Sequence, residues 1–248
     1  MNWEHECSLG WLKSRRHHLT ASEIKKLIPL TATGRPRTVT DFDRMKVMAN
    51  KLVTLTEEDC MSYGAAARGH IMEPYAIDSL NAMLKEMGIN EYFHWWDDEL
   101  VTVDGRSLAF SPDAMDVEYV DDIEFATAIA EVKSYSNEKH IAVAYTPKER
   151  IEERWQIAVP MALYPNIDHG YLVLFNPKMR LQRLFLIKYD RSELQKEIET
   201  ILQVEKEWDD FSERMLSRPT SGAVWYSKTL TEEEIIKLEM AKQHSLNP

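Results

Sequence analysis

Ser111-Pro112-Asp113, followed 18 positions later by Glu131-Val132-Lys133 at the end of the apolar run Ala126–Val132, is the stretch from which the rest of this 248-residue chain becomes readable. Residues two apart on a strand share a face, so Glu131 and Lys133 project together. If the preceding strands form an antiparallel neighbour, Asp113 at the turn can reach the same point. Two carboxylates meeting there repel unless one is protonated or a metal neutralises them. Hard oxygen ligands suit Mg²⁺, which keeps waters and binds through one or two carboxylates plus a substrate phosphate. Such a metal polarises phosphate and acidifies an attacking water, and Lys133 would orient that water or stabilise developing negative charge. Each half alone has a plainer reading. Ser-Pro-Asp opens many turns, and Glu-x-Lys is common on solvated strand edges. The two together, with Glu131 following Ile129-Ala130 on a strand that reads as buried, favour a site.

Outward from this stretch, four strands are predicted at Leu100–Val103, Ser107–Phe110, Met115–Val120 and Ala126–Val132, and two more at Tyr171–Phe175 and Leu181–Ile187. Helices are predicted at 41–55, at 74–87 with Pro74 in the first turn and Gly88 as the stop, at about 147–163, and at 190–216. Residues 1–62 read as helical, with Ser22 as an N-cap and a loop at Thr31–Thr40. A short final helix is expected from Thr231 to His244. Strands interrupted by helices indicate an α/β fold with a mixed central sheet flanked by helices. A single domain over 1–216 and a helical extension over 217–248 are expected.

The composition is that of an ordinary globular protein, with 44% hydrophobic and 29% charged residues. No apolar run approaches a membrane span and no signal-peptide core is visible, so the expected location is the cytoplasm, with no membrane partner. Cys7 and Cys60 are too few for a disulfide framework, a thiolate metal site or an iron–sulfur cluster. The eight histidines lack the spacing of a zinc site or of a Ser–His–Asp triad. No phosphate-loop motif is present. The net charge of −11 argues against long-range attraction to nucleic acid, yet residues 1–52 hold ten Lys/Arg against five Asp/Glu. Trp95-Trp96 is read as core or interface rather than as a base-stacking pair.

The order Asp…Glu-x-Lys resembles the signature of the PD-(D/E)xK nuclease superfamily, whose core is restriction-endonuclease-like. Further segments resemble its phage lambda exonuclease and YqaJ-type viral recombinase branch: Trp11-x-x-x-Arg15 with Leu19-Thr20-Ala21-Ser22-Glu23, Gly69-x-x-x-Glu73, Ser111-Pro112-Asp113-Ala114, Glu131-Val132-Lys133, Trp155-Gln156, and Tyr171 through Arg180. These blocks run in the family's order from residue 11 to about 190. The resemblance implies a Mg²⁺-dependent (Mn²⁺ as substitute) exonuclease that digests one strand of linear duplex DNA 5′ to 3′ to mononucleotides. The other strand would be left for a single-strand annealing protein in phage-type recombination within a bacterial cell. It also implies a homo-oligomer, a ring-shaped trimer. By the same likeness Asp113, Glu131 and the Val132 carbonyl would hold the metal, Lys133 would serve the water, and Glu73 would assist. Arg15, Ser22, Ser111 and Gln156 match positions that hold the 5′-phosphate, a role to which a guanidinium beside hydroxyls is suited. Arg35 and Arg37 lie in a loop like one that touches the duplex.

The chain departs from the family at Gln156, where a second Gln two residues on is replaced by Ala158, and at Asp104, which stands one residue short of a further family acid. The tail beyond about 216, with Trp225 and Tyr226, has no counterpart. Two alternatives stand beside the exonuclease: an endonuclease of the same superfamily, and a DNA-end-binding scaffold without catalysis.

Overall fold

Residues 123–133 alternate two apolar sets. Ala128, Ala130 and Val132 are buried in one cluster, and Ile129 and Glu131 are buried on the opposite face. A strand covered on both faces must sit in the middle of a sheet, and it does. The computed structural model describes residues 9–31, 34–53, 65–96, 100–120, 123–148 and 152–217, with a few positions between 231 and 237. Within it the helices are α1 (Leu9–Arg15), α2 (Ala21–Ile24), α3 (Asp41–Leu52), α4 (Ala65–Glu86), α5 (Asn137–Ala144), α6 (Arg154–Leu163) and α7 (Gln195–Ser217). The strands are β1 (Leu19–Thr20), β2 (His94–Trp95), β3 (Val101–Thr102), β4 (Leu108–Phe110), β5 (Ala114–Val120), β6 (Ile123–Lys133), β7 (His169–Phe175) and β8 (Leu184–Asp190). The chain divides into two compact units, Met1–Asp209 and Asp210–Pro248; everything below concerns the first.

The larger sheet has the order β2-β5-β6-β7-β8, with β6 and β7 parallel and the other pairs antiparallel. A smaller sheet, β1-β4-β3, joins it through Ser111-Pro112-Asp113. The expected α/β class with a mixed sheet flanked by helices is therefore what the chain adopts. α4 covers one face, packing Ala76, Ile77, Leu80 and Leu84 against Phe93, Ala130, Val132 and Val173. On the other face α6 approaches so closely that β7 needs a glycine. A Cβ on Gly170 would stand 2.5 Å from Ile157 Cγ2. Glu205 of α7 anchors the turn between the small strands: it accepts from Arg106, at 2.6 Å and 3.0 Å, and from the Ser107 and Leu108 N–H groups at 3.1 and 3.2 Å.

Several boundaries differ from the sequence reading. The helix expected to begin at Pro74 begins at Ala65, and Pro74 lies inside it. Proline's fixed φ is helical, and what it withholds is one ladder N–H. The packing of Met72 as well as Ile77 against the sheet outweighs that loss. The stop at Gly88 is as expected: its φ is 72°, and the Ile89 N–H donates to the Leu84 carbonyl at 2.9 Å, the bond that closes a glycine-terminated helix. The helix expected from 147 starts only at Arg154, and α5 precedes it, capped by Ser136 accepting from the Lys139 N–H. α5 buries only His140 and so shows no apolar period to read. Thr20, rather than Ser22, is the N-cap, with Glu23 bonding back to its N–H at 3.1 Å. Trp95 is not core: it lies 39% exposed on β2, at the edge of the larger sheet. The final helix and the aromatic pair at 225–226 fall largely outside the described residues. No helix among the described residues is long and apolar enough to cross a membrane.

Candidate active site

The last residues of β6 carry the candidate groups Glu131 and Lys133. Parallel pairing with β7 and antiparallel pairing with β5 hold Glu131 and Lys133 at one end of the sheet, and Ala114↔Ala130 places Asp113 beside Glu131. The Asp113 carboxylate accepts from the Val132 N–H at 2.5 Å. The Lys133 ammonium is bonded to Glu131 Oε1, the oxygen that also accepts from Gln156 Nε2 at 2.8 Å. Gln156 thus comes from α6 onto the carboxylate pair itself. Glu73, half-buried on α4 and paired with His70 Nδ1 at 3.2 Å, lies near enough for its charge to act on Asp113.

Electrostatics sharpens the picture. Burial first, and then the charges of Glu131 and Glu73, push Asp113 well above the usual carboxylate range, against the pull of Lys133 and the Val132 N–H. Burial alone would lower Lys133. Glu131 and Asp113 overcome it and hold the ammonium above the ordinary lysine range. The site therefore carries an excess of negative charge around one fixed cation.

Whether a divalent metal suits these residues follows from that excess. Asp113 and Glu131 converge as hard oxygen donors, and the crowding that raises Asp113 is what a dication relieves. Among the described residues no three His, Cys, Asp or Glu groups are placed to enclose an ion by themselves. A two-carboxylate set completed by a backbone carbonyl, waters and substrate phosphate matches Mg²⁺ and not zinc. Val132, between the two reactive residues, is the nearest source of that carbonyl by sequence.

The second group of candidates assembles around β1. Arg15, ending α1, donates to Ser22 Oγ at 3.1 Å and to Thr20 Oγ1 at 3.3 Å. Thr20 pairs with Ala109, and β4 leads on to Ser111, whose hydroxyl is buried with no hydrogen-bond partner among the described residues. Arg15 and Ser22 thus flank β1 from α1 and α2, and Ser111 follows its partner strand β4, two residues before Asp113. Arg35 is exposed in its loop, whereas Arg37 is turned back on the chain, donating to the Ile28 carbonyl at 2.8 Å and also to Lys26. Asp104 is an exposed turn residue beside Gly105.

Three contributors were not singled out from sequence. Tyr135 donates its hydroxyl to Glu153, the residue that opens α6. Asn176, buried after β7, donates to the Tyr135 carbonyl at 3.3 Å and to Asn137 Oδ1 at 2.9 Å. Lys51 of α3 pairs with Glu23 and donates to the carbonyls of Arg15 and His18 at 3.1 and 2.6 Å. The only signal for the first was its position two residues past Lys133; the others depend on segments far apart in the chain.

No protein-family model matches the chain, and no curated protein matches its sequence. Among the solved structures similar in fold are two of one enzyme. One is an alkaline exonuclease, LHK-Exo, from Laribacter hongkongensis, with a TM-score of 0.54 at 19% identity over 84% of this chain and 98% of that one. The other is LHK-Exo in complex with dAMP, with the same values. The chain has the fold of that exonuclease, a restriction-endonuclease-like core.

Proposed function

We propose that the protein is a Mg²⁺-dependent deoxyribonuclease that degrades one strand of linear duplex DNA from its 5′ end to mononucleotides. The observation that carries this reading is the convergence of half-buried Asp113 and buried Glu131 with the charged Lys133 at one end of the sheet, in a fold shared with an alkaline exonuclease. Asp113 and Glu131, with the Val132 carbonyl, would hold Mg²⁺ (or Mn²⁺), which supplies Lewis-acid polarisation of the scissile phosphate and a more acidic water. Gln156 fixes Glu131 through its 2.8 Å bond, so the carboxylate need not reorganise during the reaction. Lys133, kept protonated by its carboxylate neighbours, orients the water and faces the charge that builds on the phosphate oxygens. Glu73 adds a further carboxylate from α4.

Direction rests on Arg15 and Ser22, a guanidinium and a hydroxyl bonded to each other at the ends of β1, with Ser111 following the partner strand β4. This group suits a terminal 5′-phosphate, which offers more charge than an internal phosphodiester. That a related fold is described with dAMP, a nucleoside monophosphate, agrees with release of mononucleotides. A role in recombination, with a single-strand annealing partner and a ring-shaped trimer, belongs to the same reading, as does a cytoplasmic location.

The test is digestion of a 5′-phosphorylated linear duplex beside a closed circle, with Mg²⁺ and with EDTA. Loss of the linear duplex alone, only with Mg²⁺ and with mononucleotide products, is expected. Cleavage of the circle would make the protein an endonuclease, and binding without cleavage a DNA-end scaffold. A 5′-hydroxyl duplex should be digested more slowly than the 5′-phosphorylated one, and Arg15→Ala should erase that difference.

A further inference from the structure

Between β7 and β8 the chain runs Asn176-Pro177-Lys178-Met179-Arg180-Leu181-Gln182-Arg183, three cations and no carboxylate in a protein of net charge −11. Lys178, Arg180 and Arg183 are all exposed, and none forms an ion pair among the described residues. A loop of exposed cations is ordinarily loose, but this one is fastened at both ends. At its start, Asn176 is buried; its side chain bonds Tyr135 and Asn137, and its Oδ1 accepts from the Lys178 N–H at 3.0 Å. The Asn176 N–H donates to the Arg183 carbonyl at 2.9 Å, closing the loop on itself. At its end, the Gln182 carbonyl lies 2.9 Å from Nε2 of the fully buried His140 on α5. Gln182 itself has a φ of 57°, a left-handed conformation that costs a non-glycine residue and persists only where the surroundings impose it.

The position of the loop matters as much as its rigidity. Leu174 pairs with Lys133, so the chain leaves the sheet at the end where the reactive groups lie. A cleft of about 210 Å³ is lined by Met72, Ser134, Tyr135 and Lys178, of which Met72 and Ser134 adjoin Glu73 and Lys133 in the chain. Its single carboxylate, Glu138, is in the first turn of α5, next to Lys139.

We infer that the β7–β8 loop is a preorganised phosphate grip for the DNA substrate, with Lys178 meeting the sugar–phosphate backbone at the cleft and Arg180 and Arg183 extending the track. The inference rests on the nuclease reading. Exposed cations neutralise phosphate without reading bases, so the grip takes any sequence. Holding them in place beforehand removes part of the ordering cost of binding.

The test compares the wild type with Lys178→Gln/Arg180→Gln/Arg183→Gln, by fluorescence anisotropy of a 5′-phosphorylated duplex in EDTA between about 50 and 200 mM salt, and by cleavage kinetics in Mg²⁺. The variant should bind about tenfold or more weakly, with KM rising in step. Its plot of log Kd against log salt should flatten by about 2 to 3, since each phosphate no longer neutralised removes about 0.9 from the slope. A folded triple variant with unchanged Kd and slope, beside a wild type that cuts, overturns the grip and leaves the nuclease reading standing. A wild type that neither binds nor cuts DNA overturns both. Should the triple variant fail to fold by circular dichroism, Arg180→Gln alone decides, with an expected flattening of about 1 and no flattening as refutation.

Discussion

Lys133 and Asp113 are opposite faces of one electrostatic arrangement. The carboxylates that keep the lysine charged also crowd one another, and burial makes the crowding expensive. Replacing Lys133 with Ala should cut turnover by about 10²–10³-fold, the cost of removing one fixed donor to developing charge. Duplex binding in EDTA should survive; a variant that still turns over normally would take Lys133 out of the reaction. Asp113→Asn should also abolish cleavage, but with the reverse effect on stability. Asn keeps an acceptor for the Val132 N–H and drops the crowded charge, so the metal-free variant should melt above the metal-free wild type. For a chain of this size each kcal/mol gained is about 2–4 °C. Added Mg²⁺ should raise the wild-type Tm and not that of the variant. A metal-free Asp113→Asn that melts lower would refute the crowding argument. At this scale the convergence of Asp113, Glu131 and Lys133 was legible because residue type and spacing carry it. That Gln156 would clasp Glu131, or Tyr135 bond Glu153, was not, because each bond joins separate elements.

Elements were legible in proportion to their length. β6, β7 and α7 are long enough to show an apolar run or a helical stripe, and their extents differ from the sequence reading by a few residues. β1 and β2 are two residues each, too short for any alternation, and exist because β4 and β5 offer them ladder partners. α5 has almost no apolar face. Close packing, by contrast, leaves a trace in sequence only as a glycine. Gly170 sits where α6 presses on β7, and an added methyl group would meet Ile157 at 2.5 Å and Ile129 at 3.1 Å. Gly170→Ala should therefore destabilise the protein by about 1–3 kcal/mol, measured by urea denaturation. Combined with Ile157→Ala, it should cost less than the sum of the two single changes. Strict additivity would mean that the strain lies elsewhere.

Across the molecule, charge is separated along the sheet. The C-terminal ends of β6 and β7 hold the candidate active-site group and the basic loop. Toward their N-terminal ends lies an open cleft of about 890 Å³ lined by four carboxylates, Asp78, Glu91, Asp116 and Glu118, against one cation, Lys85, with His169 paired to Glu91 at 3.2 Å. A polyanion should thus be steered to one end and repelled from the other. Asp78→Lys/Glu118→Lys, two exposed changes in that cleft, should raise the association rate with duplex DNA at low salt. The gain should vanish near 0.5 M salt, where the screening length falls to a few ångströms. A gain that persists at high salt would point to direct contact with that face instead.

The sequence alone determined that this is an α/β chain with Glu131 and Lys133 on a buried strand and Asp113 in a turn before its neighbour, because hydrophobic period, residue chemistry and spacing are local properties. Tertiary structure decided what those residues can do together. Pairing registers set Asp113 beside Glu131, α6 delivers Gln156 to the same oxygen as Lys133, and Asn176 and His140 stiffen a basic loop beside the cleft. Each of these depends on chain segments whose separation in sequence carries no record of their distance in space.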